Sequence, residues 1–340
     1  MRSVITVHPG FEASWPWTAD HLHALWQAQG PVEFLRAAPG DHKPLGRLVP
    51  DPATVTRLIV LGTPVTPDCV KAFSGLGEVA VCEAHGPSEV GKKFADRGVS
   101  VHAHTSEGYW GQSVAEYALA LTLCGLRRIP QNHHAIITDL KAWDYAPTDG
   151  VPRPGGRGHQ FGDDARFVNG TVAGKRLRVV GAGNVASRFA AFAHALGAQV
   201  AAWDPYASEP CFHRSGARQE HHLERLVADA DIFAPIIPLT QQTEGLITAK
   251  LIDALPRGAL VVLVTRANVC DMKAIRRRVL ADELALAADV FDLEPLPLKD
   301  PLLGRHNVVH TPHSAGRTKQ ANEEFAARLV ERFKPVELRA

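Results

Sequence analysis

The segment that most constrains this chain runs from Lys175 to Asp204. An apolar strand pattern, KRLRVVG at 175–181, ends in Gly181-Ala182-Gly183-Asn184-Val185-Ala186, a GxGxxA turn. A helical pattern follows from Val185 to Leu196, and a second strand pattern, AQVAAWD at 198–204, closes on an acid. Gly181 permits the tight turn, Gly183 lets backbone approach a pyrophosphate, and Ala186 lets the helix pack against the strand. The unpaired amides at the helix start, near Asn184 and Val185, and the helix dipole favour an anion there. Asp204 follows Gly183 at the spacing, on the order of 20 residues, of the acid that receives the adenosine ribose hydroxyls. A carboxylate there repels a 2′-phosphate, and Pro205 and Tyr206 supply no compensating arginine, so the expected cofactor is NAD and not NADP.

Around this unit the chain alternates strand and helix patterns. SVITV (3–7), RLIVLG (57–62) and EVAVC (78–82) precede it. DIFAPII (231–237), ALVVLV (259–264), LALAAD (284–289) and NVVHTPH (307–313) follow it. Such alternation predicts parallel sheets covered by helices. A long amphipathic helix is expected from Ser113 to His134, then a Gly- and Pro-rich loop over 146–169, and a last helix from Thr318 to Phe333. With 340 residues, two domains are expected. A net charge of +1 gives no electrostatic reason to bind nucleic acid or an anionic membrane. The weakly polar stretch Ser113–Leu126 contains Glu116 and is shorter than the ~20 residues of a bilayer span. The start, MRSVITVHPGFEAS, lacks an apolar signal region, and the 5 cysteines have no CxxC spacing, so the expectation is a cytoplasmic protein with reduced thiols. The pairs His133-His134 and His221-His222 project in different directions on a helix, so no metal site is expected. The charged segments 224–230 and 273–283, including Arg276-Arg277-Arg278, read as solvated helix faces.

Three further strand ends carry chemistry. VLVTRANVCD places Arg266 after one strand, LAADVFDLEPLP places Asp289 and Glu294 after the next, and NVVHTPHSAG places His313 after the last. Open α/β sheets gather ligands at these carboxyl ends. Arginine offers a planar fork for a carboxylate. Histidine gives or takes a proton near neutral pH, and a neighbouring carboxylate orients it. The set suits a 2-oxo acid whose carbonyl receives a hydride and a proton. Singly, each residue also has a structural reading: an ion pair, a turn residue, a satisfied histidine.

From about 113 to 330 the chain resembles the D-isomer-specific 2-hydroxyacid dehydrogenases. The resemblance rests on SVAEYALAL, VVGAGNVA with Asp204, PLTQQTEGLI, TRANVCD, ADVFDLEPLP and TPHSAG. It implies a Rossmann-type doubly wound parallel sheet inserted into a smaller flavodoxin-like α/β substrate domain. The split is 1–112 and 313–340 for the substrate domain and 113–312 for the NAD-binding domain. It implies His313 as acid/base, Glu294 as its partner and Arg266 as the substrate clamp. Asp289 would contact the nicotinamide carboxamide, with Pro238, Val264 and Thr265 lining the cofactor cleft. A homodimer through the cofactor domain, with the long helix at the interface, is also implied. Asp271 reads as a helix cap. The substrate side departs from the family: CEAHGPSEVG (82–91) lacks the usual glycine-rich carboxylate loop, Trp110 stands where an Asn is usual, and Ile236 where a His is frequent. His85, Gly86, Tyr109 and Trp110 are therefore the candidate substrate shell, and Arg317 and Lys319 could meet a distal anion. The alternatives are a non-catalytic NAD-sensing protein of corepressor type and a phosphite- or formate-type dehydrogenase; Glu294, where the formate enzymes have Gln, argues against the last.

Overall fold

The computed structural model describes residues 1–82, 90–104, 108–143 and 163–335. Aliphatic and β-branched runs of 3 to 5 residues form most of the strands. In the smaller unit these are β1 (Ser3–Val7), β2 (Val32–Arg36), β3 (Arg57–Leu61), β4 (Glu78–Cys82) and β5 (Ser100–His102). In the larger unit they are β6 (Arg176–Val180), β7 (Gln199–Trp203), β8 (Arg218–Gln219), β9 (Ile232–Pro235), β10 (Leu260–Leu263), β11 (Ala285–Ala288) and β12 (Val308–His310). Tertiary contacts divide the chain into Met1–Trp110 with Arg317–Ala340, and Gly111–Gly316.

The smaller unit is a five-stranded parallel sheet in the order β2-β1-β3-β4-β5. Alternation along the central strands serves both faces. Ile5, Val7, Ile59 and Leu61 pack with Phe11, Trp15, Trp26, Phe325 and Phe333. Val4, Leu58 and Val60 pack with Val70, Phe73 and Phe94. The last helix, Lys319–Val330, starts at an N-cap whose Thr318 hydroxyl accepts from Ala321 N–H. It brings Phe325 and Leu329 into the first of these clusters. Burial, with Arg332 and Arg328 near by, pushes His104 down to about 4, so its ring is neutral at pH 7.

The larger unit is a seven-stranded parallel sheet, β12-β11-β10-β9-β6-β7-β8. Counted within the unit this is the doubly wound Rossmann order. The expected helix over 113–134 is two helices, Gly111–Arg127 and Ile129–Thr138. Pro130 has no N–H to give to the carbonyl of Leu126, which accepts from Gly170 N–H instead. Arg128 takes up the break in a left-handed conformation, φ 53°. Of the loop 146–169, residues 146–162 lie outside the described residues. From Asp163 the chain runs against this unit, with Val168 N–H donating to Gly258 O.

The basic run differs from a solvated face. Arg276 pairs with Asp292 and Asp300, and Arg277 with Asp253. Arg278 is buried: its guanidinium donates to Glu283 and to the carbonyls of Ile252 and Leu255, which end the helix Ala249–Ala254. The Arg278 hydrogen bond holds the Glu283 carboxyl below its usual range. Replacing Arg278 by Met keeps the aliphatic stem and strands those carbonyls. The expected loss is about 3 kcal/mol of unfolding free energy, read from urea denaturation. An unchanged midpoint would show that the bonds contribute nothing net.

Candidate active site

The turn after β6 is built as the sequence requires. Gly181 has φ 106°, and a Cβ on it would come 2.5 Å from the carbonyl oxygen of Ile236. Ile236 follows β9, the strand beside β6, so the close approach occurs where the chain's direction across the sheet reverses. Gly183 is the N-cap of the helix Asn184–Ala195, and no side chain caps that end. Gly183 and Asn184 are exposed, while Ala186 is buried against the sheet. The helix thus starts at an exposed glycine with its first amides pointing along the axis, the geometry that receives a phosphate. Asp204 leaves the end of β7. Its carboxylate accepts from Ala182 N–H at 2.8 Å, Tyr206 N–H at 2.9 Å and Ala207 N–H at 3.1 Å. These bonds hold it against the turn.

The other candidates stand past the carboxyl ends of β9, β10, β11 and β12, four neighbouring strands. Val264 is buried, Thr265 donates its hydroxyl to Ile237 O, and Pro238 is exposed. Arg266 is exposed. Its Nη1 donates only to Thr265 O, and it has no ion pair among the described residues. Asp271 caps the helix Met272–Leu280 by accepting from Ala274 N–H, as expected.

Glu294 and His313 meet. His313 Nδ1 and Glu294 Oε2 are 2.6 Å apart, and Glu294 Oε1 accepts from Phe291 N–H at 2.8 Å. The carboxylate is thus oriented at one oxygen and spends the other on the imidazole, which leaves Nε2 as the ring nitrogen open to a reacting group. His313 has φ 54°, a conformation that a β-carbon disfavours and that only a tight surround maintains.

That surround centres on Asp289. Its side chain is wholly buried, and it accepts from Thr311 Oγ1 at 2.6 Å, Ser314 N–H at 3.0 Å and Ala315 N–H at 2.8 Å. The residue expected to face the nicotinamide carboxamide thus spends both oxygens on the loop that carries His313. Ser113 donates to Ala315 O, and Tyr117 Oη and Ser314 Oγ are 3.0 Å apart, so the helix Gly111–Arg127 braces the same loop. Sequence reasoning missed these supports and missed Arg276, whose pairs with Asp292 and Asp300 bracket the Glu294 segment. Only the spacing of polar residues after each strand hinted at them.

On the substrate side, His85 and Gly86 lie outside the described residues. Tyr109 is buried among Trp15, His104, Trp110 and Phe325, and the partly exposed Trp110 stacks on Trp15 with centroids 5.6 Å apart. Among the described residues no His, Cys, Asp or Glu group could hold a metal, and no helix is long and apolar enough to cross a membrane.

Residues 155–315 match the family model of the D-isomer-specific 2-hydroxyacid dehydrogenase NAD-binding domain. Over those residues the chain is similar to the D-isomer-specific 2-hydroxyacid dehydrogenases. The larger unit is an NAD-binding domain. The chain is 28% identical over 225 residues to D-3-phosphoglycerate dehydrogenase of Methanocaldococcus jannaschii, covering 66% of this chain and 39% of that protein. It is 30% identical over 226 residues to glyoxylate/hydroxypyruvate reductase B of an Enterobacter species, covering 65% and 63%. The match spans between 36% and 50% of the length of these phosphoglycerate dehydrogenases. Apo D-mandelate dehydrogenase from Rhodotorula graminis shares the fold, with a TM-score of 0.72 at 18% identity over 97% of this chain and 92% of that one.

Gly181→Ala places a methyl against the Ile236 carbonyl at a positive φ. The expected outcome is NADH binding weakened at least about tenfold, measured by fluorescence titration, with a lowered Tm. Unchanged NADH affinity would separate the turn from the cofactor.

Proposed function

We propose that the protein is an NAD-dependent oxidoreductase that interconverts a 2-oxo acid and a D-2-hydroxy acid. The observation that carries this reading is the 2.6 Å Glu294–His313 pair, at the same sheet edge as the unpaired Arg266 and the dinucleotide turn. The similarity to the D-isomer-specific family model supports the D configuration. The dinucleotide, when bound, supplies or takes the hydride, and Gly181, Gly183, Asn184, Val185 and Asp204 hold its adenosine and phosphate end.

Arg266 receives the substrate carboxylate in its guanidinium fork. His313 donates the Nε2 proton to the carbonyl oxygen as negative charge develops there. Glu294 accepts from Nδ1–H and fixes the tautomer and the orientation of the ring. In the oxidative direction the neutral ring takes the hydroxyl proton at Nε2. Asp289 acts through the loop it holds. Pro238, Val264 and Thr265 form one wall for the cofactor.

His313→Ala and Arg266→Ala are expected to lower kcat/KM for 2-oxo acid reduction by about 100-fold or more, while NADH affinity stays within about threefold. Near-wild-type turnover in either variant would reject the assigned role. The measurement is NADH oxidation across glyoxylate, pyruvate, hydroxypyruvate, aromatic and phosphorylated 2-oxo acids.

The same reading includes a homodimer through the larger unit. Ile129, Ile136, Ile137, Leu140 and Trp143 are exposed along the segment that leaves the long helix, Ile137 by 67% and Leu140 by 81%. Apolar residues grouped in this way mark an interaction surface. Ile137→Asp with Leu140→Asp is expected to shift the mass measured by light scattering from dimer to monomer. A wild-type monomer would overturn the assembly. The 5 unpaired thiols suit a reducing cytoplasm.

A further inference from the structure

Glu294 meets His313 at 2.6 Å, yet the segment that carries it has little of its own to hold it there. From Phe291 to Asp300 the chain forms no strand or helix, and most of its side chains are exposed, Leu298 by 96%. Apolar burial does not fix such a segment to the about 0.5 Å that a working pair of side chains requires. One side chain holds both of its ends. Arg276 Nε and Nη2 donate to Asp292 Oδ1 at 3.3 and 2.9 Å, and Nη1 donates to Asp300 Oδ1 and Oδ2 at 3.1 and 3.0 Å. The Arg276 side chain is 19% exposed and that of Asp300 9%, so this half of the clamp lies largely out of water. Asp300 Oδ1 also accepts from the N–H of the wholly buried Leu302 at 2.9 Å.

The anchor is rigid. Arg276 lies on the helix Met272–Leu280, which Asp271 caps and which buries Met272, Ile275 and Val279 in the core of the larger unit. That helix begins just past the loop carrying Arg266, where Cys270 N–H donates to Ala267 O at 2.9 Å. One helix therefore follows the carboxylate-receiving arginine and, from its second turn, grips the segment of the proton-handling pair. A single exposed ion pair contributes little, but three donors closing one segment on two carboxylates form a network. Without the guanidinium, Asp292, Glu294 and Asp300 are like charges along one short stretch, and their repulsion favours an open segment. The next residue offers a contrast: Arg277 pairs with Asp253, on the helix Ala249–Ala254.

We propose that Arg276 is a positioning residue: by closing the segment 292–300 it sets the Glu294 carboxylate on His313 Nδ1 and, through it, the tautomer of the ring. Its kinetic consequence rests on the activity proposed above. Arg276→Met keeps the aliphatic stem and removes the clamp, and Arg276→Lys keeps the charge without the fork. In Arg276→Met, kcat for 2-oxo acid reduction is expected to fall at least about tenfold with NADH affinity within about twofold, and Arg276→Lys to recover part of the loss. In a Glu294→Gln background, Arg276→Met is expected to change kcat by less than about twofold, since a residue that acts through Glu294 has nothing left to position. Losses that multiply in the double variant overturn the proposal. A second readout does not need turnover: the His313 ring 15N shifts of the 15N-histidine-labelled full chain, at a pH where the ring is neutral. The wild type and Arg277→Met are expected to hold the proton on Nδ1, and Arg276→Met to show both tautomers. A His313 tautomer unchanged by Arg276→Met overturns the positioning. A tautomer that follows Arg276 in a protein that reduces no 2-oxo acid keeps the positioning and rejects the dehydrogenase reading instead.

Discussion

A buried carboxylate organises the catalytic edge of the larger unit. Asp289 has no exposed surface, and a charge in that position is tolerable only when its lone pairs are occupied. Thr311 Oγ1 and the amides of Ser314 and Ala315 occupy them. Those three donors flank His313 on both sides, so the chain must curl round the carboxylate, and His313 takes the left-handed conformation at the middle of the curl. The imidazole is thereby aimed by the backbone, and Glu294 has only to complete its orientation. The strain at His313 and the charge at Asp289 are each unfavourable alone. Together they make one well-defined loop.

Both units follow the same topological logic. In the larger unit Gly181 and Ile236 meet at the reversal between β6 and β9, where the dinucleotide turn lies. In the smaller unit His8, Gly62 and Thr63 meet at the reversal between β1 and β3. In each a glycine with positive φ permits a close approach that a side chain would block. The reversal in the larger unit presents the start of a helix, suited to phosphates.

Much of this was legible in the chain. The residues of β6, the turn and Asp204 are local in sequence, and their spacing is fixed by the strand, the helix and the pyrophosphate between them. The strand patterns at 3–7, 57–62 and 78–82 match β1, β3 and β4 within one residue, because aliphatic alternation decides burial on both faces. The patterns at the other strands were longer than the observed ones, since apolar residues continue past the last ladder bond. The helix over 113–134 was misread because apolar periodicity persists through Arg128 to Ile137, while Pro130 interrupts the hydrogen bonds that periodicity does not see. Arg276 and Arg278 were read as solvated because their partners, Asp292, Asp300, Ile252 O and Leu255 O, are 16 to 26 residues away along the chain.

The sequence by itself determined the parallel α/β class, the dinucleotide turn and the identities of Arg266, Glu294 and His313 as groups at strand ends. These depend on residue type and short-range spacing. Tertiary structure decided which of them touch and that Asp289 serves the His313 loop. Such facts depend on how distant segments share one buried volume, and pairing across a sheet edge leaves no periodic trace in the chain.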